Sequence, residues 1–132
     1  MTEIDLPYAK LLDIRRASLD ECEGGKQIVI MVPSDRLLGR PGFLHGGAIA
    51  GLLEYACYLT LVEALGGPTT AARPVSVTLD YLRGGAMTET FACAEILRLG
   101  KRLAHLEACA WQDDRAKPIA AARMNFLLTR DQ

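Results

Sequence analysis

The chain has 132 residues, the size of one domain of roughly 100–200 residues, so we expect residues 1–132 to form a single unit. Apolar residues make up 50% and charged residues 23%, with a mean hydropathy of +0.13, which excludes an intrinsically disordered chain. Fifteen basic residues against 16 acidic ones give a formal net charge of -1, without the basic excess that binds nucleic acid or anionic membranes.

The N-terminal third of the chain predicts short elements. Residues 6–12 are typical of a short helix, and residues 13–19 of a strand. A glycine-containing turn at residues 23–25 precedes the β-branched, apolar residues 27–32, which predict a second strand. Residues 34–44 contain two glycines and a proline and predict a loop.

Residues 46–65 are rich in Ala and Leu and end at Gly66, which predicts one long helix. The run is about as long as a bilayer span. Glu54 near its middle would cost about 2.5–3.5 kcal/mol on membrane-insertion scales, and the flanks lack an aromatic or basic belt. A helix that is apolar on every side is therefore interpreted as one wrapped by other elements, and no membrane partner is expected.

The C-terminal half predicts four strands separated by short turns, over residues 74–82, 89–99, 102–111 and 119–129. One long helix beside five or six antiparallel strands indicates an α+β fold and not a doubly wound sheet. In the last two strands, the even-numbered residues share a small, apolar face that a helix could approach closely: Ala104, Leu106, Ala108, Ala110, Ala120, Ala122, Met124, Phe126 and Leu128.

The cysteines do not predict a metal or disulfide framework, because none forms a CxxC pair and the chain has only two histidines. His105 is interpreted as structural. The N-terminus has no apolar leader, so we expect a cytoplasmic location and free, buried thiols at Cys22, Cys57, Cys93 and Cys109.

Two features suggest chemistry. At Gly46 and Gly47, the start of the helix would expose unpaired N–H groups to an anion or an oxyanion, although glycine is also common where a loop enters a helix. Glu54 has no basic residue within one turn, so desolvation could keep it reactive as a general base or nucleophile. Alternatively, its carboxylate reaches solvent or meets an arginine from elsewhere in the fold.

Helix geometry constrains how these features could cooperate. His45 and Glu54 are nine positions apart, which corresponds to about half a turn of phase difference and roughly 13 Å along the axis. Glu54 therefore cannot act with the Gly46 N–H of its own helix. If both serve one reaction, a second copy must present its helix end, which predicts an obligate dimer with two identical sites.

The chain resembles the hotdog-fold thioesterases, and most closely the PaaI-type acyl-CoA thioesterases, from about residue 8 to residue 128. The resemblance is carried by His45-Gly46-Gly47 with Glu54 nine residues after the histidine, followed by VSVTLDYLR at 75–83 and LRLGKRL at 97–103. It implies a hotdog fold in which an antiparallel sheet wraps a central helix. It also implies hydrolysis of an acyl-CoA thioester without a cofactor, by a homodimer that often pairs into a tetramer in the family.

The resemblance also assigns residues. Glu54 matches the family's catalytic acid, Gly46 matches the glycine whose N–H polarises the thioester carbonyl, and His45 matches a histidine that positions the loop. Substrate contacts are implied for Tyr81, Arg83, Arg98, Gly100, Lys101, Arg102 and Leu103, of which the basic turn at 98–103 matches a segment that contacts CoA. Substrate contacts are also expected for Gly47 and Tyr58, although core packing would explain Tyr58 equally well.

Two positions depart from the family pattern. Six residues before the histidine the family commonly has Asn or Gln, and here Gly39 stands. One turn after the acid it often has Thr or Ser, and here Tyr58 stands. A second hypothesis is therefore a hotdog protein that binds acyl-CoA without hydrolysing it. A hydratase is disfavoured because its motif places a proline close to the catalytic histidine.

Overall fold

The computed structural model describes residues 6–17, 26–67 and 72–129. The elements follow in the order α1 (Pro7–Leu11), β1 (Ile14–Arg16), β2 (Ile28–Met31), a 3-10 turn (Asp35–Leu37), α2 (Gly46–Ala64), β3 (Ala72–Tyr81), β4 (Thr90–Leu99), β5 (Leu103–Trp111) and β6 (Ala120–Leu128). The predicted α+β architecture, with one long helix and a sheet of five or six antiparallel strands, is confirmed, with six strands among the described residues.

The sheet has the order β1-β2-β4-β5-β6-β3, and every neighbouring pair is antiparallel. Tyr81 at the end of β3 pairs with Ala120, and Ala72 at its start pairs with Leu128. Within the described residues, β3 is hydrogen-bonded to β6 on one side alone and forms an edge of the sheet.

Helix α2 is the centre of the core because it has apolar residues on nearly every side. It packs against β2, β4, β5 and β6, where small buried residues such as Ala92, Ala108 and Ala122 let the helix approach the sheet closely. The predicted small, apolar face of the last two strands is confirmed. α2 is long and apolar enough to cross a membrane, but 67% of its most apolar window is buried inside this fold, as in a core helix.

The N-terminal segment covers one stripe of α2. A Cβ added at Gly51 would lie 2.6 Å from Leu12 Cδ1 and 3.0 Å from the Tyr8 hydroxyl oxygen. Only glycine therefore lets α1 and the residue after it pack this close to the helix. Gly51 lies three positions before Glu54, on a neighbouring part of the same helix surface.

The predicted strand at 13–19 is shorter than expected, since β1 ends at Arg16. Part of that prediction, together with the turn at 23–25 and Cys22, lies outside the described residues. The predicted loop at 34–44 is confirmed except for the single 3-10 turn.

The face of the sheet turned away from α2 carries a second, smaller apolar cluster. It contains Ile28, Ile30, Cys93 and Trp111, with Phe91 and Cys109 packed against it. The Phe91 and Trp111 rings stack with centroids 5.9 Å apart. This cluster fixes the conformation of side chains on the outer face of β2, β4 and β5.

The exposed edge strand β3 differs from the other long strands. Its alternating pattern predicts one apolar and one polar face, but Val75 and Val77 on the apolar face are 53% and 41% exposed. Apolar side chains on an unpaired edge are a feature that native proteins cover or pair.

We predict that the N-cap of α2 contributes measurably to stability. The Nδ1 atom of His45 accepts a hydrogen bond from the Gly47 N–H, at 2.9 Å. His45→Ala removes this acceptor and should lower the free energy of unfolding by about 1 kcal/mol, whereas His45→Asn should retain most of it. Urea denaturation of the three proteins measures the difference, and equal midpoints for His45→Ala and the parent would contradict the prediction.

Candidate functional site

A cavity of about 710 Å³ opens at the N-terminus of α2. It brings together four of the residues that the sequence nominated, namely His45, Gly46, Tyr81 and Arg83. Arg40 and Phe43 also line the cavity, although they were not predicted from the sequence. Their only signal was a position in the loop just before the His-Gly-Gly motif.

The first turn of α2 offers one N–H group fewer than expected. The Gly47 N–H donates a hydrogen bond to His45 Nδ1, so the expectation that this N–H is unpaired is wrong. The reason is local, since the extended backbone of the cap residue folds its imidazole back over the helix end. A Cβ at Gly47 would lie only 3.0 Å from His45 Nδ1, so glycine makes room for this contact.

Gly46 is the first residue of α2, where no carbonyl one turn earlier can accept its N–H within the helix. The Tyr81 hydroxyl donates to the Gly46 carbonyl oxygen at 2.9 Å. The same ring lies 3.4 Å from the place where a Gly46 Cβ would stand. Tyr81 at the end of β3 thus clamps the helix end and forms one wall of the cavity beside it.

The loop before the helix is too tight for a side chain at residue 39. A Cβ at Gly39 would lie 2.9 Å from His45 Cα, and the Gly39 N–H donates to the Phe43 carbonyl oxygen at 2.8 Å. The departure from the family's Asn or Gln at this position is therefore built into the loop conformation. The loop instead places the Arg40 guanidinium 4.7 Å from the centroid of the Phe43 ring, over the cavity.

Glu54 lies two turns further along α2, half-buried, and does not line this cavity. Within residues 6–17, 26–67 and 72–129 the structure shows no ion pair or hydrogen bond for its carboxylate. The alternative in which Glu54 meets an arginine of the same chain is thus not observed in the described part. Burial raises the pKa of the Cys57 thiol to about 12, and the nearby Glu54 charge acts in the same direction.

Tyr58, one turn after Glu54, is half-buried and packs against the main core. It is the residue that stands where the family often has Thr or Ser. Its ring reaches the protein interior, and its position on α2 keeps it on the Glu54 side of the helix. Tyr58 and Glu54 are therefore neighbours, while the Gly46 cavity lies at the end of the helix.

The turn that is predicted to contact CoA lines a separate cavity. A second cavity, of about 490 Å³, is lined by Arg98, Gly100, Lys101, Arg102, Leu103, His105 and Asn125. The turn is held by hydrogen bonds from the Gly100 N–H to the Leu103 carbonyl and from the Leu128 N–H to the Arg102 carbonyl. Three cationic side chains in one turn provide the charge that binds phosphate groups.

The two cavities lie at opposite ends of the sheet. Tyr81 pairs with Ala120 at the start of β6, whereas Leu103 pairs with Leu127 near its end. Seven residues along a strand at about 3.3 Å each separate these positions by roughly 23 Å. A single protomer therefore does not bring the basic turn, the Gly46 cavity and Glu54 into one site. No cluster of three or more His, Cys, Asp or Glu suited to a metal ion occurs among the described residues.

The sequence matches the family of the acyl-CoA thioesterase N-terminal domain over residues 38–127. A protein of Chromobacterium violaceum with a known crystal structure is 39% identical, with a TM-score of 0.71, and the match covers 97% of this chain and 87% of that one. No relative was found among the curated proteins.

Two more distant crystal structures share the fold. A Bacillus halodurans protein crystallised with CoA is 23% identical over 95% of this chain and 80% of that chain, with a TM-score of 0.75. A phenylacetic acid degradation-related protein of Ralstonia eutropha is 20% identical over 92% of this chain and 89% of that chain, with a TM-score of 0.74. Together with the family match, the architecture shows that the chain belongs to the acyl-CoA thioesterase family of the hotdog-fold thioesterase superfamily.

Proposed function

We propose that the protein is an acyl-CoA thioesterase that works as a homodimer, with each of two sites assembled from both protomers. The observation that carries this proposal is the separation, within one chain, of the Gly46 N–H, the Glu54 carboxylate and the basic turn. Each is a group that thioester hydrolysis uses, and within one protomer the Gly46 cavity contains neither Glu54 nor the basic turn.

The edge strand β3 supplies a way to join two copies. If β3 pairs with β3 of the partner about a two-fold axis, the strands run antiparallel, and the Tyr81 end of one lies beside the Ala72 end of the other. The exposed Val75 and Val77 would then be covered. The unpaired backbone groups of the edge would also gain partners.

The same two-fold axis would bring the separated groups together. The basic turn lies at the Ala72 end of the sheet, so it would approach the α2 N-terminus of the partner. The two α2 helices would run antiparallel on the same face of the joined sheet, and Glu54 of one would face Gly46 of the other. The crystal structure of the Bacillus halodurans relative with CoA supports the choice of a CoA thioester.

The proposed mechanism needs few groups. The Gly46 N–H, at the positive end of the α2 dipole, donates to the thioester oxygen and stabilises the charge that develops there. Glu54 from the other protomer either attacks the carbonyl carbon, giving an anhydride that water then hydrolyses, or removes a proton from the attacking water. The CoA thiolate leaves readily, because a thiol has a pKa of about 8.5.

The remaining predicted residues bind the substrate or position the catalytic groups. His45 holds the first turn of α2 through Gly47, and Tyr81 holds the Gly46 carbonyl. Arg98, Lys101 and Arg102 would bind the CoA phosphates through charge-assisted hydrogen bonds. The proposal includes no cofactor, since water, a carboxylate and an N–H donor complete the reaction. It also includes a cytoplasmic location, where a buried thiol such as Cys57 stays reduced.

We predict that Glu54→Gln lowers kcat for a hydrolysed acyl-CoA by about 10²–10⁴-fold, because the amide neither attacks nor accepts a proton. KM should change little, since the side chain keeps its size. Release of CoA, measured with a thiol reagent, gives both constants. Glu63→Gln is the matched control, because Glu63 lies on the same helix, is exposed and pairs with Arg16.

Equal turnover by Glu54→Gln and the parent would remove Glu54 from the mechanism. Binding of a panel of acyl-CoAs without turnover by the parent would instead support the non-catalytic alternative. That alternative is favoured by one observation, the tight packing of Gly39 on His45, which leaves no room for an amide side chain at residue 39 to orient water.

We predict that Gly46→Pro removes the N–H donor while the helix still forms. Proline is accepted at the first helical position, and the extended His45 backbone (φ -64°, ψ 135°) is compatible with a following proline. Loss of the donor should lower kcat by about 10²–10³-fold. Circular dichroism and thermal melting check that the variant folds, and thiol release measures kcat.

A heterodimer of Gly46→Pro and Glu54→Gln protomers tests whether the sites are shared. Co-expression with two different tags isolates this species. In a composite arrangement one site keeps both Gly46 and Glu54, so the heterodimer should recover about half of the parent activity per dimer. Sites confined to one protomer would leave both sites defective, and a monomeric parent in sedimentation would contradict the proposal directly.

A further inference from the structure

Two cysteines face each other on the outer face of the sheet, away from α2. Cys93 on β4 and Cys109 on β5 are register partners. Residues paired in this way on antiparallel strands have Cα atoms about 4.5–5.5 Å apart, within the range that a disulfide bridges. Both thiols line a cavity of about 320 Å³, so a small molecule can reach them.

We propose that Cys93 and Cys109 form a redox-active dithiol that a low-molecular-weight disulfide oxidises to a cross-strand disulfide. This site is separate from the proposed thioesterase site, and the inference does not rest on that function. The cysteines lie on the face of the sheet opposite to the helix, at strand positions that already have the separation of the oxidised pair.

Arg115 places a positive charge beside the cysteine pair. Its Nη2 atom donates to Cys93 Sγ at 2.7 Å, and its guanidinium lies 4.7 Å from the centroid of the Trp111 ring. A cation held in this way beside two sulfur atoms favours a thiolate. Trp111 is buried in the outer cluster, so the position of the arginine is fixed by packing.

The two thiols of the pair have pKa values shifted in opposite directions. A hydrogen bond from Cys93 lowers the pKa of Cys109 to about 7, against the opposing effects of burial and of the Glu107 charge, and the Arg115 and Lys26 charges lower it further. The same hydrogen bond raises the pKa of Cys93. Cys109 is also the less buried of the two, so it is the attacking sulfur and Cys93 is the resolving one.

The reaction is a balanced thiol–disulfide exchange. The Cys109 thiolate attacks one sulfur of the small disulfide, a mixed disulfide forms, and one small thiolate leaves. Cys93 then loses its proton and attacks the Cys109 sulfur, the internal disulfide forms, and the second small thiol leaves. The protein is oxidised by two electrons and the small disulfide is reduced to two thiols. An attacking thiol works best when its pKa is near the ambient pH, and the hydrogen bond from Cys93 lowers the pKa of Cys109 in that direction.

The full chain carrying Cys22→Ser is incubated with oxidised glutathione at neutral pH, and the intact mass of the protein is measured over time. We expect the mass to fall by about 2 Da without a lasting glutathione adduct. Peptide mapping should find residues 93 and 109 cross-linked. Accumulation of a stable adduct with no cross-link, or thiols that remain unmodified after prolonged treatment, would overturn the proposal.

Single substitutions in the same Cys22→Ser chain, which serves as the parent, distinguish the attacking sulfur from the resolving one. Cys93→Ser should stop at one glutathione adduct on Cys109, and Cys109→Ser should react at least ten-fold more slowly than the parent. Cys57→Ser should match the parent, because that thiol is buried and has a raised pKa. Equal rates for Cys109→Ser and the parent would overturn the assignment of the attacking sulfur.

A measurement on the parent protein tests the inference even if one of the variants does not fold. Brief treatment with a small alkylating reagent should modify Cys109 before Cys93 and Cys57, and this modification should prevent the cross-link. Preferential alkylation of Cys57, or cross-linking that proceeds unchanged after Cys109 is blocked, would contradict the inference.

Discussion

The structure depends on one rigid helix that is buried along most of its length. α2 is apolar on nearly every side, and the sheet that covers it is lined with alanine at the contact positions. Because an α-helix is a rod of fixed rise, the separation between its first N–H and a side chain two turns later cannot change. Gly46 and Glu54 are held apart by the same packing that holds the fold together.

The fixed separation between Gly46 and Glu54 is linked to the exposed edge strand β3. A strand whose apolar residues are exposed on an unpaired edge would be a liability in an isolated chain. In a two-fold dimer the same strand would become the centre of a continuous sheet. The partner would also deliver the basic turn and Glu54 to the end of the helix where Gly46 lies. Stability and chemistry would then require the same interface, and this would account for both the exposed valine pair and the separation of Gly46 from Glu54.

Local signals were sufficient to predict the helix and most strands. α2 begins after the extended cap residue His45 and ends where Gly66 and Gly67 adopt φ values of 98° and 129°, a backbone region that glycine adopts readily. The alternation in β5 and β6 also matches their buried faces, because one side of the sheet is covered by the helix. These features depend on neighbours along the chain, which sequence patterns record.

Features that depend on a side-chain conformation or on distant contacts could not be predicted. The capture of the Gly47 N–H depends on the side-chain conformation of His45, and the position of β3 at an edge depends on the order of all six strands. The pairing of Cys93 with Cys109 depends on the register of β4 and β5, which a bulge between Ile96 and Arg98 shifts before the turn. The spacing of Cys93 and Cys109 in the sequence therefore does not predict that the two cysteines are neighbours.

The two faces of the sheet are built for different purposes, and the reason lies in what covers each one. The inner face needs small side chains because α2 must approach closely, so β4, β5 and β6 carry alanine there. No helix of the described chain covers the outer face, so larger side chains such as Trp111 and Phe91 form a cluster that is open at its margin. At that margin a cysteine pair is both fixed in position and reachable from solvent. One sheet can thus support a buried helix on one side and a reactive dithiol on the other without either disturbing the packing of its counterpart.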